Sequence, residues 1–182
     1  MSHELRTPLN SILGFLDLLQ KTPLTHDQTE FLNIVRKSSS NLLTIINDIL
    51  DFSKIEAGKL SISPEPMDLH ECIEDAIILL SPSAYDKSLE VIPFIYSDVP
   101  QKIIGDTLRI KQIIINLVNN SIKFTDKGSI VIRAMLEKTD KSGLTISISV
   151  TDTGIGLSEK QKSAIFSAFS QATPKIEKKF GG

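Results

Sequence analysis

Asp106–Phe124, DTLRIKQIIINLVNNSIKF, reads as one amphipathic helix, and Arg109, Gln112, Asn116, Asn120 and Lys123 recur along it every three or four residues. That spacing sets the five side chains on one face. A solvated helix face is the plain explanation. Such faces favour Glu and Lys, however, and asparagine is a poor residue in mid-helix. Spacing alone leaves the two explanations evenly balanced. A carboxamide oxygen is a hard ligand that suits Mg2+, an ion that keeps waters and bridges substrate phosphates. A nearby lysine then serves those phosphates as a point charge.

Downstream, Ile130, Ile132, Ala134 and Leu136 alternate with polar residues, as do Ile146, Ile148 and Val150, and period two marks strands. Upstream, Asp68 and Glu71 form a capping-box pattern that opens a helix through roughly Leu80, and a strand follows around Leu89–Tyr96. Ser158 can cap a short helix through Phe169. Mixed helices and strands at hairpin-like spacing predict an α+β sandwich with helices on one sheet face. Asp152 is in phase with Ile146, Ile148 and Val150, so it is expected to point to the buried face at its strand's end. A carboxylate there is costly unless paired. It is either a turn aspartate in Asp152-Thr153-Gly154 or an acceptor for a ligand's exocyclic amine. Gly154 and Gly156 would let backbone approach such a ligand closely. There is no GxxxxGK[ST] loop, so any nucleotide is held in another way.

Towards the N-terminus the pattern becomes purely helical. Leu5, Leu9, Ile12, Leu13, Leu16 and Leu19 share a helical period until Lys21-Thr22-Pro23-Leu24 breaks it. Thr25 and Gln28 make a capping box for a second helix, which carries Phe31, Ile34, Val35, Leu42, Ile45, Ile46, Ile49, Phe52 and Ile55 before Gly58 stops it. A two-helix hairpin buries only part of such a stripe and is expected to finish its core by dimerising into a four-helix bundle. Ser61–Pro66 reads as a linker or edge strand because of its prolines. The expected organisation is therefore 1–58 as a helical domain, 59–66 as linker or edge strand, and 67–182 as the sandwich. His3 lies beside Glu4 near the first helix start. A lone exposed histidine is usually a solvated side chain. As a nucleophile it needs a neutral ring with one nitrogen free and the other proton held by an acceptor, which Glu4 could supply.

Composition excludes more than it assigns. The 182 residues are 41% hydrophobic and 23% charged, with a net charge of −2, which gives no footprint for nucleic acid or an anionic membrane. Cys72 is the single cysteine, so no internal disulfide or cysteine-based metal site can form, and it is expected to be a small buried hydrophobe. No apolar run is long enough to span a bilayer and no signal peptide opens the chain, so the stretch is expected to be cytoplasmic without direct membrane contact.

Taken together, four segments resemble the histidine kinase family. Ser2-His3-Glu4-Leu5-Arg6-Thr7-Pro8-Leu9 is similar to its H box, and Asn116-Leu117-Val118-Asn119-Asn120-Ser121-Ile122-Lys123-Phe124 to its N box. Asp152-Thr153-Gly154-Ile155-Gly156-Leu157 is similar to its G1 box, and Ile165-Phe166-Ser167-Ala168-Phe169 to its F box. Four motifs in order and at the right spacing are specific, and the resemblance covers essentially the whole chain. Asn47–Lys54 and Gly105–Arg109 further resemble hybrid sensor kinases of the BarA/GacS type.

The resemblance implies a dimeric phosphoacceptor hairpin followed by an ATP-binding sandwich of the GHKL type, with ATP and Mg2+ as cofactors. His3 would attack the γ-phosphate, with Glu4 orienting its ring or acting as base. Asn120 would hold Mg2+, Asn116 and Lys123 would contact phosphates, and Asp152 would accept from the adenine amine. Gly154 and Gly156 would hinge an ATP lid anchored by Phe166 and Phe169. Thr7 would position water for dephosphorylating a partner receiver domain, the response regulator that takes the phosphoryl group in cis or in trans. Ser121 stands where alanine is usual, a change expected to be harmless. The chain stops within the lid, before a second glycine-rich box, and starts just before the H box, so it is expected to be a poor kinase by itself, cut from a larger membrane-anchored parent. Two rival classes are another ATPase of the superfamily, which would lack the H box, and a nucleotide-binding scaffold or pseudokinase, against which the intact motif positions speak.

Overall fold

Thr25, in extended conformation (φ −69°, ψ 165°), separates two helices in the computed structural model, which describes residues 2–141 and 143–164. Its side chain accepts from Gln28 N, and Gln28 Oε1 accepts from Thr25 N at 2.9 Å, the reciprocal box that the spacing predicts. The helices are α1 (Ser2–Leu19) and α2 (His26–Glu56), and they belong to the first of two units, Met1–Ser61 and Ile62–Gly182. After α2 the chain turns at Gly58, whose φ of 62° suits a residue without Cβ. Leu9 and Leu16 of α1 and Leu32 of α2 are buried. Arg6 donates to Asn47 Oδ1 at 3.1 Å, Gln20 to Asn33 Oδ1 at 3.2 Å, and Arg36 to Gln20 Oε1 at 2.7 Å. Leu13, Ile46 and Phe52 are half-buried, and much of the remaining apolar stripe is uncovered, with Phe15 68% and Phe31 64% exposed beside Ile34, Leu42, Ile45 and Ile49.

The second unit runs β1 (Glu65–Asp68), α3 (Leu69–Tyr85), β2 (Leu89–Ile95), β3 (Lys102–Gly105), α4 (Thr107–Phe124), β4 (Gly128–Asp140), β5 (Gly143–Asp152) and α5 (Glu159–Ala164). Its sheet has the order β2-β4-β5, with β2 parallel to β4 and β5 antiparallel to it, while β1 and β3 form a separate antiparallel pair. Leu69, Ile73, Ala76, Leu80 and Ala84 recur on one face of α3, and Ile114, Val118 and Ile122 on one face of α4. Both rows close with Ile130, Ile132 and Ala134 of β4 into a single core, which makes two helices packed on a mixed sheet. Cys72 joins this core at 2% exposure, and burial pushes its thiol pKa up. Asp68 caps α3 by accepting from Glu71 N at 3.0 Å, and Asp106 caps α4 by accepting from Arg109 N at 3.1 Å.

Several boundaries differ from expectation. α3 continues beyond Leu80 to Tyr85, past Pro82, because Ala84 prolongs its buried row. Pro66 lies within β1, an outer strand where a missing N–H is tolerated. β3 was not expected, since Lys102–Gly105 is too short to carry a periodic signal. α5 is described to Ala164, so Phe166 and Phe169 of the expected lid anchor lie outside the described residues.

Candidate functional site

One face of α4 packs into the core and the asparagines lie off it. Ile114, Val118, Ser121 and Ile122 are buried, whereas Asn116 and Asn120, one turn apart, are exposed. Arg109 donates to Gln112 Oε1 at 2.9 Å on the same polar side. In the last turn, Lys123 Nζ lies 5.5 Å from the Phe124 ring centroid. Lys87, from the turn after α3, donates to the carbonyls of Ile122 at 2.6 Å and Lys123 at 3.1 Å. A cation on the negative end of a helix is well placed, and here it fixes the turn that carries Lys123.

Asp152 departs from the expected burial. Ile146, Ile148 and Val150 of β5 pack against the core, but the Asp152 side chain, in the same phase, is exposed. It is the last residue of β5 and lies beside Ser121 of α4. Both of its carboxylate oxygens accept hydrogen bonds: Oδ1 from Gly154 N at 2.9 Å and Oδ2 from Ser121 Oγ at 3.1 Å. A carboxylate so held needs no burial to keep one orientation.

The loop after Asp152 is strapped to α4 and β4. Ile155 N donates to Phe124 O at 3.3 Å, Thr153 N donates to Ser129 O at 3.2 Å, and Ser129 N donates to Thr153 Oγ1 at 3.1 Å. At Gly154 a Cβ would meet Phe124 O at 2.5 Å, Thr125 Oγ1 at 2.8 Å and Asp152 Oδ1 at 2.9 Å, so any side chain would displace backbone. Gly156 has φ 64°, which also favours glycine. Beneath Gly154, the Thr125 hydroxyl is fully buried with no hydrogen-bond partner among the described residues. A buried hydroxyl left without a partner is unusual.

His3 is in the first turn of α1, and its side chain lies outside what is described. Glu4 and Thr7 are exposed, and the Thr7 carbonyl accepts from Ser11 Oγ at 3.0 Å. These three belong to the helical unit, and Asn116, Asn120, Lys123, Asp152, Gly154 and Gly156 to the other. Sequence reasoning passed over Lys87 and Thr125 and treated Ser121 as inert. Ser121 did carry a signal, since it sits beside Ile122 and one turn from Val118 on the core side of α4. The other two carried none.

Comparison with known proteins finds a family match within each of the two units. The His Kinase A (phospho-acceptor) domain matches residues 1–58, and the histidine kinase-, DNA gyrase B- and HSP90-like ATPase family matches residues 105–182. Over the full chain the sequence is 51% identical to the sensor histidine kinase GacS of Pseudomonas protegens and 48% identical to the signal transduction histidine-protein kinase BarA of Escherichia coli. The chain spans 20% of the length of each of these relatives. Among solved structures, full-length ShkA in complex with AMPPNP superposes with a TM-score of 0.77 at 35% identity, covering 93% of this chain and 36% of that one. The histidine kinase ThkA in complex with the response regulator TrrA gives 0.60 at 25% identity, covering 97% and 51%.

Proposed function

The chain belongs to the histidine kinase family, and on that premise we propose that it is the catalytic core of an ATP-dependent protein histidine kinase that phosphorylates its own His3. The observation that carries this reading is the strapping of the Asp152–Gly156 loop to the last turns of α4. It sets an oriented carboxylate against the last turns of α4, the helix that carries Asn116, Asn120 and Lys123. AMPPNP is the nucleotide bound by the relative ShkA. The residues present fit a nucleotide: the exposed Asp152 carboxylate, held at both oxygens, offers an acceptor to a base, and the exposed Asn116 and Asn120 amides offer polar groups to phosphates and a hard cation.

Asp152 accepts from the adenine amine and so selects adenine over guanine, which has a carbonyl at that position. Asn116 and Lys123 hold phosphate oxygens, and Asn120 offers one carboxamide oxygen to Mg2+. That ion, when bound, neutralises charge on the phosphates and makes the γ-phosphorus easier to attack. A ring nitrogen of neutral His3 forms the N–P bond as the P–O bond to ADP breaks, and Glu4 holds or accepts the other ring proton. Gly154 and Gly156 hinge a lid over the phosphates. The phosphoryl group then passes to an aspartate of a receiver domain, and Thr7 aligns the water that later removes it there. ThkA, a relative, is seen bound to a response regulator.

The exposed stripe of the hairpin supports homodimerisation into a four-helix bundle. No described helix is long and apolar enough to cross a membrane, and use of ATP puts this stretch in the cytoplasm, with the anchor elsewhere in the parent. Competition titration tests the nucleotide site. Asp152→Asn should weaken ATP binding about 10- to 100-fold, as expected for a charged hydrogen bond, and lower the preference for ATP over GTP. Unchanged discrimination would remove Asp152 from adenine recognition. Thr7→Ala should leave autophosphorylation within about 2-fold while slowing dephosphorylation of a phospho-receiver. Equal loss of both would make Thr7 a helix-stabilising residue instead.

A further inference from the structure

Ser121 occupies the core side of α4 at 6% exposure, between an inward Val118 and an inward Ile122. A serine in mid-helix commonly turns its hydroxyl back to the carbonyl four residues earlier. This one reaches across to another element instead, and its Oγ lies 3.1 Å from Asp152 Oδ2. Ionised carboxylates only accept, so the single hydroxyl proton belongs to this bond. The second oxygen, Oδ1, is held by Gly154 N at 2.9 Å. Two donors from different elements therefore fix the carboxylate plane of a side chain that is otherwise open to solvent. The loop donor alone would leave that plane free to turn about one bond.

We infer that Ser121 is a positioning residue for nucleotide selection, aiming the Asp152 carboxylate at the exocyclic amine of the purine. The inference rests on the adenine role of Asp152 given above. It follows that the two ends of the nucleotide site are joined within one helix turn. Asn120 faces the phosphate side of α4, and Ser121, the next residue, holds the base-recognising carboxylate from the core side. A side chain fixed before binding loses less freedom when the ligand arrives, so the gain appears as affinity for ligands that use it.

The test compares ATP with purine riboside triphosphate, which lacks the exocyclic amine, using the full chain. Ser121→Ala should weaken ATP binding about 5-fold, the value of one neutral donor on a partly exposed acceptor, and leave the analogue unchanged. Ser121→Cys, near-isosteric with a weak donor, should fall between serine and alanine and supplies the readout if alanine disturbs folding. In an Asp152→Asn background the Ser121→Ala change should have little further effect on ATP. Equal weakening of ATP and analogue would assign Ser121 to packing, and wild-type ATP affinity in both Ser121 variants would also overturn the inference. In either case a weakened Asp152→Asn would leave the adenine role standing. Wild-type affinity in Asp152→Asn itself would overturn that role and the inference with it.

Discussion

Ile73 of α3 is fully buried, while Phe15 of α1, a larger apolar side chain, is 68% exposed. The difference runs through the two units that carry them. In the described part of Ile62–Gly182, two helix rows and a strand row close on one another, and those three rows are covered within the chain. In Met1–Ser61 the same kind of periodic row is buried only at Leu9, Leu16 and Leu32 among the described apolar residues, and much of the remaining stripe faces solvent. Identical sequence patterns thus have different outcomes, according to whether a third layer exists to cover them. A sheet supplies that layer in one unit, and a second copy of the hairpin is the layer proposed for the other.

Paired substitutions sharpen the contrast. Ile73→Ala removes a fully packed side chain and should lower the stability of the second unit by about 2–5 kcal/mol in denaturant melts, with dimerisation unchanged. Phe15→Ala should do the reverse: it should leave that melt alone and raise the dimer dissociation constant about 10-fold in sedimentation equilibrium. A Phe15→Ala protein that dimerises as before would place the contact on another face.

Acid should act on the two units in opposite directions, with a smaller effect. Asp68 is held below the ordinary aspartate pKa, first by the Glu71 backbone N–H and then by Gln101, against a partly opposing effect of burial. Asp106 is likewise lowered, first by the Ser63 and then by the Arg109 backbone N–H. A carboxylate with a lowered folded pKa stabilises above its unfolded value, and that contribution is lost as pH falls through the folded one. Asp48 of α2 has a raised pKa, from burial first and the charge of Asp51 second. Its ionised form is a penalty at neutral pH, and the penalty is relieved as pH falls through the raised value towards 3.8. Melts from pH 7 downward should therefore show the Asp48 contribution to the hairpin improving before the second unit weakens. Asp48→Asn should abolish the hairpin's share of that change.

How much of this was legible beforehand follows from what periodicity encodes. Spacing placed Asn116, Asn120 and Lys123 on one face of α4 and found the capping residues Thr25 and Asp68, because those relations lie within one element, though it did not find Asp106 as the cap of α4. It overestimated the burial of Asp152, since strand phase says which way a side chain points but not how much of it stays open to solvent. Ser121 was read as a harmless exchange. Its partner is 31 residues away on another element, and only the packed structure brings hydroxyl and carboxylate together. Lys87 and β3 were invisible because a single lysine and four residues carry no period. The helical unit was the more legible of the two, yet its uncovered stripe leaves its function resting on a partner.

The separation of chemistry between the units comes down to His3. His3→Gln should abolish acid-labile, alkali-stable label from γ-labelled ATP while leaving ATP affinity within about 2-fold, because the proposed nucleophile and the residues proposed for the nucleotide site sit on different units. Label that persists on the variant, or ATP affinity that collapses with it, would contradict a phosphoacceptor on the hairpin served by a nucleotide site built wholly on the second unit.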